Sequence, residues 1–146
     1  MSDTPAVPDA IDALVALLSR RFGREAAVID GPPAVNATGD LVAVGLGPED
    51  VLAVDSTSAI AGLRAVRESF PVVCLARSWS GNSSVRDQRR RSYRLIGAVR
   101  AELEGDPTLG RAVTRARYGG DTYTPWRHET GAIVVDVPFT ILIDAL

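Results

Sequence analysis

The groups in this chain that could do covalent or proton-transfer chemistry are few. Cys74 is its one cysteine and His128 its one histidine, and they lie far apart in the sequence. Nucleophilic catalysis needs a nucleophile with a base in reach. Cys74 falls on the expected core face of a strand, the ordinary place for a free cysteine, and His128 falls in a polar loop. There is no Gly-x-Ser-x-Gly elbow, and no group of His, Cys and carboxylates at metal-ligand spacing. Gly45-x-Gly47 runs into Pro48-Glu49-Asp50, whose carboxylates would repel phosphate, so it is not read as a nucleotide loop. No carboxylate pair is singled out by spacing for general acid and base work. The residues therefore point to no cofactor and no metal, and to a chain that is not an enzyme.

Arginine is the more unusual signal. All sixteen basic residues are arginine, within a net charge of −2 over 146 residues. The planar guanidinium is less strongly hydrated than an ammonium and pairs as a fork, which suits protein–protein contacts. The negative total gives no push toward nucleic acid, and few aromatics are interleaved with the arginines. The start of the sequence has no basic and apolar leader pattern. No apolar run approaches the length of a membrane span. With one cysteine no disulfide can form within the chain, and a cytoplasmic protein is expected.

The elements that would hold these residues follow from periodicity. A first helix is expected from Asp9 to Phe22, with Val7, Ile11, Leu14, Val15, Leu18 and Phe22 on one face, Pro8 at its start and Gly23 at its stop. Strands are expected at Ala26–Asp30 and Leu41–Leu46, separated by the turn signal Gly31-Pro32-Pro33. The stretch from Gly47 to Leu63 reads as an extended hairpin or a loop. A strand from about Val66 to Ser78 places Phe70, Val72, Cys74 and Ala76 on one face and Ser69, Val73, Leu75 and Arg77 on the other. A second helix is expected from Val85 to Glu104, with N-cap candidates in Ser80–Ser84 and a stop at Gly105-Asp106-Pro107. A helical turn at Thr108–Val113, a strand at Thr114–Tyr118 and a polar loop at Asp121–Gly131 come next. The last strand, Ala132–Ile143, alternates most cleanly, with Ile133, Val135, Val137, Phe139, Ile141 and Ile143 on one face. The expected fold is a single α+β domain over residues 1–146. It has a mainly antiparallel sheet of four to five strands, with two main helices on one face.

Two helices leave the other sheet face open, and that face mixes Val73, Leu75, Val134 and Leu142 with Arg77, Asp136 and Asp144. It reads either as a subunit interface or as a surface partly covered by residues 47–63. Pro138 cannot donate to a ladder, so the last strand is expected at the sheet edge or bulged there. On the second helix, Val85, Ser92, Val99 and Leu103 fall within about 60° of Ile96, while Arg90, Arg91 and Arg94 fall opposite. Those three read as a solvated face or as an interface. Arg89 falls about 20° from Ile96, on the apolar side, and is expected to anchor a contact at the sheet rim or with a neighbour. Trp79 and Trp126 are candidate anchors or local packing residues.

The order of elements and several short phrases resemble tail terminator (tail completion) proteins of long-tailed, non-contractile bacteriophages. The matching pieces are PDAIDALVALL, VIDGPP, LVAVGL, FPVVCLARSWSGN, the arginine-rich helix, DPTLG and GAIVVDVPFTILI, which together span nearly the whole chain. The resemblance implies a homo-oligomer, a hexameric ring that caps the tail tube protein at its set length and meets a head-side connector or stopper protein. It implies no enzyme activity, no cofactor and no membrane, with DNA only as cargo passing through the ring. It places the protein in the virion neck, after assembly in the host cytoplasm. Competing readings are another neck protein, a small enzyme using carboxylates or His128, and a nucleic-acid module built on the arginine helix.

Overall fold

The structure is a computed structural model that describes residues 6–46, 57–61, 65–80 and 84–145, with 57–61 and 65–68 described as backbone. Helix α1, Val7–Phe22, buries Ala10, Leu14, Leu17, Leu18 and Phe22, the three-and-four spacing of an amphipathic helix. It has proline in its first turn and stops at Gly23, whose φ of 54° is open to glycine and whose N–H donates to the Ser19 carbonyl. Strands β1 (Ala27–Asp30) and β2 (Gly39–Val44) follow, then β3 (Thr57–Ala61) and the long β4 (Ala65–Trp79). Helix α2, Val85–Gly105, begins at Ser84, whose hydroxyl accepts from the Asp87 N–H at 3.1 Å. Strands β5 (Arg115–Asp121), β6 (Thr124–Arg127) and β7 (Ile133–Ala145) complete the chain.

The strands form one sheet in the order β1-β2-β4-β7-β5, with β3 on β4 beyond β2 and β6 on β7 beyond β5. Every pairing is antiparallel except β1 with β2. The α+β class, the mainly antiparallel sheet and the helices on one face are as expected; the seven strand segments among the described residues are more than the expected four to five. The hairpin alternative for 47–63 describes β3, whose residues pair with β4; residues 47–56 and 62–64 lie outside the described set. The additional strand β6 lies inside the expected polar loop. Residues 107–113 form turns rather than a helical turn, with Leu109 and Arg111 at φ of 50° and 72°, outside the right-handed helical region.

The core lies between the sheet and the two helices. Val42 and Val44 of β2, Phe70, Val72, Cys74 and Ala76 of β4, and Val135, Val137, Phe139, Ile141 and Ile143 of β7 meet the buried faces of α1 and α2. Strand alternation alone places these residues, because every second side chain of a strand shares a face.

The last strand is not an edge. β7 pairs with β4 along one side and with β5 and β6 along the other. Pro138 is tolerated because β5 ends at Asp121 and β6 begins at Thr124, leaving a break in the ladder beside it. The Pro138 carbonyl faces that break and accepts from the Thr122 N–H at 2.9 Å. In an extended strand the N–H of a residue points the same way as its C=O, so the missing donor falls where no ladder bond is required.

Candidate protein-interaction surface

The helix-free face divides into two parts. The first is covered by the chain itself. Because β1 and β2 are parallel, residues 31–38 must return along the strand, and they do so over this face. Arg77 holds them there: its Nη1 donates to the carbonyls of Ala34 at 3.1 Å and Ala37 at 3.5 Å. Its Nε and Nη2 form a fork on Asp136, at 2.8 and 3.1 Å. The Trp126 indole N–H donates to the same carboxylate at 2.8 Å, and the guanidinium lies 5.7 Å from the Trp126 ring centre. Trp79 packs edge-on against Trp126 and tilts against the His128 ring. Leu75 is buried in a small second cluster with Leu41 and Ala43, against Ile29, Ala37 and Leu46.

Leu75, Arg77, Trp79 and Trp126, candidate contact residues by sequence, are thus held within their own chain, which for the two tryptophans is the local-packing alternative. Arg77 is 5% exposed and Trp79 and Leu75 each 7%; their partners lie in the same chain, and Trp126 is half-buried with its N–H satisfied. His128 sits in the β6–β7 turn, its Nδ1 within hydrogen-bond distance of Thr130.

The second part of this face is open among the described residues. Val73 and Pro138, far apart in sequence, line one hollow of about 360 Å³ with Thr140 and the end of β5. Gly119 is required beside it: a Cβ there would lie 2.6 Å from Thr140 Oγ1 and 2.9 Å from Leu142 Cγ, closer than side-chain carbons pack.

Helix α2 sorts the arginines differently from a wheel centred on Ile96. Its buried residues are Gln88, Ser92, Leu95, Ile96, Val99 and Leu103. Their arc is centred about 50° from Ile96 on the Leu95 side, which moves Arg89 about 70° off the buried centre. Arg89 is therefore a rim residue; it stacks on the Tyr123 ring at 5.7 Å and donates to its hydroxyl at 3.3 Å. Arg91 is not outward with Arg90 and Arg94. It is half-buried, donates to Ser78 at 3.0 Å and lies 3.6 Å from Asp40. Arg90 and Arg94 are exposed.

A group missed by sequence reasoning lies beside α2. All three tyrosines of the chain meet around Asp121 at the end of β5. Tyr93 donates to Asp121 Oδ1 at 3.0 Å, Tyr118 donates to Oδ2, and Tyr123 packs 6.5 Å from Tyr93. Arg100 stacks over Tyr118 at 4.8 Å. Burial, and then the Asp121 carboxylate, push the Tyr93 and Tyr118 phenols above their ordinary value. Arg100, Arg115 and Arg117 continue this rim into a cleft between α2 and β5. The cluster is formed by residues distant in sequence, and only the high arginine count hinted at it. Tyrosine and arginine together are the side chains most enriched at protein interfaces.

Cys74 is fully buried, and burial pushes its thiol up to about 12. It is a neutral core residue at neutral pH, not a nucleophile. Among the described residues no group of three or more His, Cys, Asp or Glu is placed to hold a metal, and no helix is long and apolar enough to cross a membrane.

No family model matches the chain, and no curated protein matches it. Among solved structures it is similar to a chain from the virion of a native gene transfer agent particle. The two share 17% identity over 89% of this chain and 86% of the other, at a TM-score of 0.35. A likeness of that size fixes neither a family nor a function.

Proposed function

We propose that this chain is a structural subunit of a phage-type tail, and within that class a tail terminator. Copies would form a ring that ends tube growth and meets the head-side connector. The sequence resemblance across nearly the whole chain supports this reading. The observation that carries it structurally is the contrast in arginine use. Each nitrogen of the interior Arg77 guanidinium is hydrogen-bonded, while the side chains of Arg86, Arg90, Arg94, Arg111, Arg115 and Arg117 stand exposed with no side-chain hydrogen bond or ion pair among the described residues. Together with the tyrosine cluster they form a surface with the composition of a contact. The reading includes no catalytic step, cofactor or membrane, and DNA enters only as cargo.

The test is removal of the gene from its parent phage, followed by electron microscopy of the products. A terminator gives overlong tails without heads. Tails of normal length that fail to join heads would reject the terminator and favour another neck protein.

A further inference from the structure

The charge of this chain is unevenly distributed. Residues 86–127 carry ten arginines against five carboxylates, while the rest carries six against thirteen. Within that stretch Arg100, Arg115 and Arg117 lie at the β5 side of the sheet, while Arg91 reaches Asp40 of β2. On the β5 side Arg100 and Glu104 of α2 and residues 115–118 of β5 line a cleft of about 430 Å³. Arg100 and Tyr118 lie on its helix side, while Arg115 and Arg117, opposite Asp144 and Leu142, alternate to the helix-free side of the same edge. Arg115 and Arg117 are exposed and make no ion pair among the described residues.

Three acids stand exposed near the opposite edge of the sheet. Asp9 and Asp12 are exposed on the first turns of α1, and Asp30 is exposed at the end of β1. None of the three makes an ion pair among the described residues. Asp30 is the register partner of Val44, and the next residue, Gly45, lies against Ile11 of α1. The start of α1 and the end of β1 therefore share one corner. The three arginines near the end of α1 and after it, Arg20, Arg21 and Arg24, lie at the far end of that helix.

We propose that Arg115 and Arg117 on the β5 edge of one copy receive the Asp9 and Asp12 carboxylates of α1 of a second copy. The inference rests on the structural-subunit reading and names one contact within it. The two surfaces are complementary in charge and sit at opposite edges of one sheet, so a chain cannot join them to each other. Joining them between copies is a head-to-tail contact, the kind that repeats and closes into a ring when its rotation allows. Guanidinium–carboxylate forks give such a contact register. The tyrosine cluster beside the cleft supplies rigid area that excludes water around it.

The test is a charge swap on the full chain, read by native mass spectrometry and light scattering at low salt. The wild-type chain self-associates, and added salt weakens the association. R115E/R117E alone and D9R/D12R alone each weaken it about 100-fold through like-charge contact. An equimolar mixture of the two variants restores it, because each reversed surface then meets its complement. R115E sets a carboxylate opposite Asp144 of β7 and D9R sets a cation in the first turn of α1, so each double variant is expected to unfold at a slightly lower temperature than wild type; R117E paired with D12R avoids both positions and repeats the swap. A wild-type chain monomeric to millimolar concentration, association untouched by either variant, or a mixture that fails to rescue would each overturn the contact. So would R115E/R117E abolishing binding to a DNA duplex while self-association persists. Normal-length tails on gene removal would defeat the terminator reading while the charge swap still reports on the contact.

Discussion

Two arginine sites in this molecule use the same side chain in opposite ways. Arg77 lies under the 31–38 loop, with four hydrogen bonds to Asp136, Ala34 and Ala37 and an indole against its face. Arg115 and Arg117 lie on an outer strand, their guanidiniums without a hydrogen bond or ion pair among the described residues. A guanidinium removed from water must have all its donors met or it is costly; one left in water costs nothing and stays available. The first site fixes where a loop crosses the sheet. The second leaves charge for another molecule.

The largest expected effect comes from breaking the interior site. Asp136→Ala leaves Arg77 buried without its counter-ion and Trp126 without its acceptor. It should destabilise the fold by about 3–5 kcal/mol, a fall in Tm of roughly 10 °C for a chain of this size. Thermal and urea unfolding measure it. Arg77→Met combined with Asp136→Leu should cost less than Asp136→Ala alone, because no charge is then left unpaired. Equal losses in the two variants would mean that loop anchoring through Ala34 and Ala37, rather than the ion pair, dominates.

That interior site was only partly legible. Alternation placed Arg77 and Asp136 on the helix-free face, but nothing local says that residues 59 apart will meet. Nor did the turn signal Gly31-Pro32-Pro33 reveal that β1 and β2 run parallel, which sends their connection across the face. The helices and β7 were readable because burial repeats along them at a fixed period. β6 was hidden because Thr124-Pro125-Trp126-Arg127 is four residues long, contains proline and shows no alternation a window can detect. Pro138 misled for a non-local reason: a proline reads as an edge signal unless the neighbouring strand breaks beside it. Arg89 misled because one apolar residue, Ile96, is a poor marker for the centre of a buried arc that includes Gln88 and Ser92.

A smaller effect distinguishes the tyrosine cluster from the exposed arginines around it. Tyr93 and Tyr118 have folded-state pKa values above the ordinary 10.0, from burial first and from Asp121 second. A raised phenol contributes stability that is complete below its unfolded pKa and lost as pH climbs from there through the folded value. Stability should therefore decline above about pH 10. Tyrosinate absorbance should rise later in the folded chain than in the unfolded one. Asp121→Asn removes the carboxylate, so the Tyr93 and Tyr118 titrations should move down toward 10, with a loss of about 1 kcal/mol at neutral pH from the weakened hydrogen bonds. An unchanged titration would show burial alone to be responsible.

The smallest effect is expected where the contrast is sharpest. Arg115→Ala with Arg117→Ala removes two guanidiniums that bond to nothing among the described residues, and surface changes of that kind stay within about 0.5 kcal/mol. Unfolding midpoints should overlay those of wild type, at low salt and at high. The register allows this: Arg115 and Arg117 stand opposite Asp144 and Leu142 of β7, and Asp144 already accepts from Ser69 at 2.7 Å. A clear destabilisation would mean that Arg115 holds Asp144 in solution, and the β5 arginines would then resemble Arg77 more than the contrast allows. A silent double variant leaves them with no internal role, so that any loss of assembly they cause belongs to the contact itself.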